Sequence, residues 1–194
     1  MNVLILNGHE PYPRSPGDLN RHMTGVARDI LTGLGHAVQV VETVKPYDID
    51  AEVDRHVWAD RLIVQSPVNW MGFSWSFKKY IDVVYLAGMD GRLSKGDGRS
   101  RSAPERQYGT GGHMGGKQYM LSLTFNAPAA AFDDPGQVLM RGRTVDDLFL
   151  PAHMTFGYLG MTALETFSCH DVIKNPRIGE DLERFRAHIT RLFG

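Results

Sequence analysis

The sequence holds a single cysteine, Cys169, among 194 residues, which excludes an intramolecular disulfide and any site built on several thiolates. Its eight histidines are scattered, with neither HExxH nor CxxC spacing, so no metal centre is indicated. An excess of charge is missing too: 21 Lys and Arg face 22 Asp and Glu, for a formal net charge of −1. Without a basic field the chain is not expected to bind nucleic acid or an anionic bilayer. Long apolar runs are absent. The opening MNVLILNG carries only a short one, with no basic segment before it, too short for a membrane span or a secretion signal. The expectation is a reduced, cytoplasmic protein without stable membrane insertion. Two nucleotide signatures are also lacking. No GxGxxG follows the first apolar run, and GGHMGGKQ, which approaches GxxxxGK[ST], has Gln118 in place of the magnesium-binding hydroxyl and precedes a strand pattern.

What is present is an alternation of short apolar runs with helical periodicity, and 42% hydrophobic residues suffice for one domain over residues 1–194. Val3, Leu4, Ile5 and Leu6 form a continuous run closed by Asn7-Gly8, the pattern of a strand buried on both faces. Leu19, Met23, Val26, Ala27, Ile30, Leu31 and Leu34 recur at helical spacing, with Gly35 at the terminating position. HAVQVVE and RLIVQ read as the next strands, separated by a short helix begun by Asp48 or Asp50. Phe77, Tyr80, Ile81, Val84 and Tyr85 make one apolar helical stripe whose start Ser74 can cap. Residues 86–116 lack periodicity. KQYMLSLTF reads as the fourth strand, MTALETFSC as the fifth, and Leu182, Phe185, Ile189, Leu192 and Phe193 as a last helix. Such alternation implies βαβ crossovers and a three-layer α/β sandwich; five parallel strands fit the flavodoxin-like order 2-1-3-4-5.

That order gathers the loops after strands 1, 3 and 4 at one sheet edge, where open α/β sheets bind ligands. NGHEPYPRSPGDLN leads into a helix N-terminus suited to phosphate, although Ser15, Gly17 and Asp18 are equally ordinary turn and cap residues. QSPVNWMGFSWSFKKYID crowds two of the three tryptophans into a loop and helix start. Trp70, Met71 and Phe73, with Phe125 and Asn126, would offer the flat, half-polar wall that an isoalloxazine ring needs; Trp75 and Phe77 are expected in the core. Arg92, Arg99, Arg101 and Arg106 can meet nicotinamide-nucleotide phosphates, but Asp90, Asp97 and Glu105 among them favour a mixed-charge surface. His113 and His153 are expected to be structural.

MNVLILNG, SPGDLN, PVNWMGFSWSFKKYID, DGRSR, QYGTGG, QYMLSLTFNAP, LPAHMTFGYLGM and DVIKNP, in this order and spacing, closely resemble the NAD(P)H:quinone oxidoreductases of the modulator of drug activity B type and, more distantly, DT-diaphorase. The resemblance implies a flavodoxin-like homodimer that binds FAD and moves two electrons from NADPH or NADH to a small-molecule quinone by ping-pong kinetics, a role protective against one-electron chemistry. It places the FAD diphosphate and adenosine on Ser15, Pro16, Gly17, Asp18, Leu19, Asn20, Arg21 and His22. The flavin falls on Val68, Asn69, Trp70 and Met71, with Thr124, Phe125, Asn126 and Ala127 at its other polar edge and Tyr108 completing the site. No catalytic side chain is implied. Asn69 and Phe125 depart from the pattern, which has a further aromatic and a tryptophan there. A flavodoxin-type electron carrier and an azo or nitro reductase are the alternatives.

Overall fold

The computed structural model describes residues 1–194. One parallel sheet contains β1 (Asn2–Asn7), β2 (Ala37–Glu42), β3 (Arg61–Pro67), β4 (Gln118–Thr124), β5 (Thr162–Ala163) and β6 (Phe167–Cys169). Its order is β2-β1-β3-β4, with β5 and β6 both paired to the outer edge of β4. The helices are α1 (Asp18–Gly33), α2 (Ile49–Trp58), α3 (Trp75–Ala87), α4 (Val145–Leu148), α5 (Leu150–Tyr158) and α6 (Ile178–Phe193).

The run in β1 serves both faces. Val3 and Ile5 pack with Met23, Leu31, Phe185 and Ile189 of α1 and α6. Leu4 and Leu6 pack on the opposite side with Val53, Tyr80, Val84 and Phe156 of α2, α3 and α5. This is why the run is continuous instead of alternating. The caps read from the sequence are in place: Asp48 accepts from Ala51 N at 2.8 Å, and Ser74 Oγ accepts from Phe77 N at 3.2 Å. Ser74 Oγ also donates to Gly8 O at 2.8 Å, tying the loop after β3 to the loop after β1.

Two expectations need correction. MTALETFSC is not one strand. Thr162–Ala163 pairs with Gln118–Tyr119 and Phe167–Cys169 with Ser122–Thr124, while Glu165 between them turns outward. There α6 captures it, His188 Nε2 donating to Glu165 O at 3.0 Å and Arg191 pairing with its carboxylate at 2.8 Å. Trp75 is not core. It lies two residues before Phe77, about 200° around the helix from that stripe, and is 62% exposed while Phe77 is fully buried. The crossover between β4 and the outer strands is made by α4 and α5. A Thr144 capping box starts α4, with Asp147 N donating to Thr144 Oγ1 and Thr144 N to Asp147 Oδ2, both at 2.9 Å.

The long segment 86–116 is anchored at both ends despite its lack of periodicity. Leu93 and Met114 are buried, His113 N donates to Leu93 O and Met114 N to Leu159 O, each at 2.8 Å. Cys169 is buried against Met23, and desolvation pushes its thiol up to about 12, which leaves almost no thiolate at neutral pH.

Candidate functional site

A cleft of about 630 Å³ opens at the carboxyl edge of the sheet, across the switch point between β1 and β3. One wall is the loop after β1 and the start of α1, from Arg14 to Asn20 together with His22; the other comes from Pro67, Val68, Asn69, Thr124 and Asn126. Ile173 and Ile178, beyond β6, close one end.

Its floor is a buried polar network. Gln65 Nε2 donates to Asn20 Oδ1 at 2.8 Å, Ser122 Oγ to Gln65 Oε1 at 2.7 Å, and Asn20 Nδ2 to Thr124 Oγ1 at 3.2 Å. Three elements are thereby locked under the cleft. The loop above is equally constrained. Tyr12 and Ser15 exchange both backbone hydrogen bonds, at 3.0 and 2.9 Å, and the buried His9 ring donates from Nε2 to Ser15 O at 3.0 Å. Gly17, the N-cap of α1, has φ +88°, and a Cβ there would lie 2.1 Å from the His9 ring. It has no side chain with which to cap, so the first-turn N–H groups of Asp18, Leu19 and Asn20 have no partner in the chain. A helix start of that kind suits an anionic diphosphate.

The second wall carries an unusual turn. Asn69 N donates to Gly72 O at 2.9 Å and Gly72 N to Asn69 O at 3.1 Å, closing a hairpin whose central residues, Trp70 (φ 48°) and Met71 (φ 66°), are both left-handed. For bulky residues that conformation costs about 1–2 kcal/mol each. The product of the strain is a tryptophan 99% exposed; Trp70 itself does not line the cleft, although its neighbour Asn69 does. Below it, Asn69 Oδ1 is buried and accepts no hydrogen bond. An uncompensated acceptor of this kind fits a planar ligand with an N–H at its edge, as a flavin has.

Not every residue expected here lines the cleft. Ser15, Pro16, Gly17, Asp18, Leu19, Asn20, His22, Val68, Asn69, Thr124 and Asn126 do. Arg21 does not: its guanidinium folds back to donate to Pro16 O at 2.7 Å and pairs with Asp18 at 2.5 Å. Phe125 is no part of an aromatic wall. It is 2% exposed, its N donates to Cys169 O at 2.8 Å, and its ring stacks on His170 at 5.1 Å, because the backbone at this point still follows β6. Ala127 O accepts from Asp171 N at 3.0 Å, so it serves to hold the adjoining loop. Met71 and Phe73 face a separate hollow of about 240 Å³ over Phe149 and Ala152. Tyr108 lies elsewhere, against Tyr158 at 5.9 Å, since Gly112 and Met114 clamp the long segment onto the end of α5. There it borders an apolar groove of about 660 Å³ between α3 and α5.

Sequence reading passed over His9 and Gln65. Gln65 carried a signal, a polar residue ending an apolar strand run; His9 carried none beyond its proximity to the strand end. The histidines set aside are structural as expected: His113 Nδ1 donates to Gly91 O at 2.7 Å, and His153 accepts from Tyr119 OH at 2.7 Å while facing Asp146 at 3.2 Å. Arg92 pairs with Asp50, Asp54 and Asp90, and Arg99 with Asp97, in keeping with a mixed-charge surface.

The flavodoxin-like fold family model matches residues 1–191. The chain is 41% identical to the NADPH:quinone oxidoreductase MdaB of Haemophilus influenzae, over 100% of both chains. It belongs to this flavodoxin-like family of quinone oxidoreductases. Among solved structures, a Klebsiella pneumoniae chain assigned as a quinone reductase is similar with a TM-score of 0.78 at 24% identity, covering 99% of this chain and 83% of that one. General stress protein 14 of Treponema denticola, in complex with FMN, is similar with a TM-score of 0.66 at 19% identity, covering 99% and 97%. At such identities both support the fold.

Proposed function

We propose that the protein catalyses the two-electron reduction of quinones by NADPH or NADH with FAD bound in the Ser15–Asn126 cleft, residues 1–194 forming one flavin-binding domain. The observation that carries this reading is the switch-point cleft itself, walled by the uncapped start of α1 and by Asn69, whose side-chain oxygen has no partner, with the exposed Trp70 next in the chain. Full-length similarity to the Haemophilus influenzae enzyme supports the same activity. When bound, FAD would accept hydride from the nicotinamide and return it to the quinone. The chain's part is to hold and orient. The uncapped start of α1 would meet the diphosphate, His22 and Ile178 would border the adenosine end, and Val68, Asn69 and Asn126 would hold the polar edge of the ring. One open face of the flavin would have to serve donor and acceptor in turn, which is the basis for expecting ping-pong kinetics.

A homodimer is part of the proposal. Leu86 and Met154 are exposed apolar side chains lining one groove of about 660 Å³ between α3 and α5, a surface that a second copy would cover. No helix is long and apolar enough to cross a membrane, and a lone buried thiol suits the cytoplasm.

The flavin released on denaturation is expected to be FAD, because the cleft continues past the start of α1 to His22. Chromatography of the released flavin decides it, and FMN alone would favour an electron carrier. Trp70→Ala is expected to leave the urea midpoint unchanged or slightly raised, since the side chain buries almost nothing, while flavin retention and quinone turnover fall at least about tenfold. Retention equal to wild type would remove Trp70 from the site.

A further inference from the structure

The hollow of about 240 Å³ lies beside the proposed flavin cleft, on the other side of the hairpin that carries Trp70. That hairpin joins the two spaces. Asn69 lines the cleft, Met71 and Gly72 line the hollow, and Asn69 and Gly72 exchange both backbone hydrogen bonds, at 2.9 and 3.1 Å. Residues paired in this way have their Cα atoms about 5.5 Å apart, so a ring held at the Asn69 edge of the cleft is one substituent's reach from the hollow.

The lining of the hollow is mostly hydrocarbon. Phe73, Ile81, Leu148, Phe149 and Phe156 form its walls, and Phe73 is fixed by ring contacts to Phe77 at 4.8 Å and Phe149 at 5.2 Å. Met71, partly exposed, adds an unbranched, polarisable side chain that adapts to irregular apolar partners. The two polar side chains in the lining are already engaged: Thr155 Oγ1 donates to Pro151 O at 2.8 Å, and the Lys78 ammonium pairs with Asp82. An apolar group gains burial here, whereas a polar one loses water with little in return. Size sets a further limit. A cavity of about 150 Å³ holds one benzene ring, so this hollow has room for roughly ten carbons.

Resting on the proposed reduction of quinones, we infer that this hollow receives the hydrocarbon side chain of the quinone while its ring occupies the cleft, with Met71, Phe73 and Thr155 setting the preference for a substituted ring over a bare one. Roughly ten carbons amount to two prenyl units. Lys78, Ile81 and Thr155 line both the hollow and the groove of about 660 Å³ between α3 and α5, so a second copy seated on that groove closes the far side of the hollow and limits the chain to this length.

The test uses the flavin-loaded full chain with menadione and with menadione carrying one, two or three prenyl units on its free quinone-ring carbon. Steady-state kinetics are paired with equilibrium titration of each quinone into the oxidised protein, read by flavin fluorescence. Wild type should favour the one-prenyl quinone over menadione by at least about tenfold in both kcat/KM and Kd, below the ceiling that full burial of a prenyl unit would set. The second unit should add to that preference, and the third should change it by less than about twofold. Thr155→Phe, which fills the hollow, and Thr155→Asp, which sets a carboxylate against it, should each cut the side chain's advantage to within about twofold, whereas Thr155→Val, which loses only the hydroxyl, should keep it. Because each readout is a ratio to menadione, a general loss of activity or assembly cancels. Equal affinity for menadione and the one-prenyl quinone, a third unit that adds as much as the first, or a wild-type ratio in both Thr155→Phe and Thr155→Asp overturns the assignment, and the wild-type series decides it even where a variant does not fold. Failure of every quinone to be reduced with either nucleotide would defeat the proposed enzyme activity instead, and the titrations would still decide the hollow.

Discussion

The Gly17→Ala protein is expected to bind flavin at least about tenfold more weakly than wild type and to lose about 2–3 kcal/mol of stability. Two independent effects act at this position. The φ of +88° is a conformation in which an alanine is strained, and the new Cβ would come within 2.1 to 2.4 Å of three atoms of the His9 ring. His9 has no room to yield, because it is buried and held to Ser15 O. The segment from Ser15 to Asp18 must therefore move, and with it the unpartnered N–H groups that open α1. Gly25→Ala, on the same helix with nothing within 4 Å of the added Cβ, is the control. It should be neutral or stabilising by up to about 1 kcal/mol. Flavin fluorescence during titration and urea unfolding read the two quantities. Wild-type flavin affinity in Gly17→Ala would mean that the start of α1 does not contact the cofactor.

Phe77→Ala is expected to cost about 3–5 kcal/mol, and Trp75→Ala no more than about 0.5 kcal/mol in the isolated chain. Phe77 is fully buried, packs edge-on to Phe73 at 4.8 Å, and supports the backbone of Gly8, where a Cβ would fall 2.6 Å from the ring. Its loss opens a cavity directly under the loop that carries Ser15, so flavin affinity should drop along with the urea midpoint. Trp75 begins the same helix but faces away from that core. Equal destabilisation by the two substitutions, measured by denaturant unfolding, would show that Trp75 is covered by protein.

The contrast between these two aromatics shows how far the sequence could be read. The stripe Phe77, Tyr80, Ile81, Val84 and Tyr85 has a clear 3.6-residue period, and the continuous runs in β1, β3 and β4 announced a parallel sheet whose switch point brings Ser15–Asn20, Val68, Asn69, Thr124 and Asn126 to one cleft. Trp75 sits at the helix end, where the period is weakest, and was drawn into the core by its type alone. Trp70 and Met71 gave no hint of their left-handed backbone, since neither is a glycine or an asparagine. The burial of Phe125 leaves no sequence pattern, because it depends on Phe132 in the following loop and on His170 beyond β6, which close over it. Tyr108 belongs to a segment whose path is set by backbone hydrogen bonds to residues such as Leu159, which leave no periodic trace. The sheet and its cleft follow from local patterns; the aromatic surroundings follow from contacts between distant loops.

The most direct measurement is the rate at which flavin-loaded protein oxidises NADPH, and separately NADH, with and without menadione, followed by the absorbance of the reduced nucleotide. Oxidation should depend on the quinone with at least one nucleotide, and double-reciprocal plots at several menadione concentrations should be parallel, as required when donor and acceptor take turns at one flavin face. Absence of quinone-dependent oxidation with both nucleotides would contradict the proposed function.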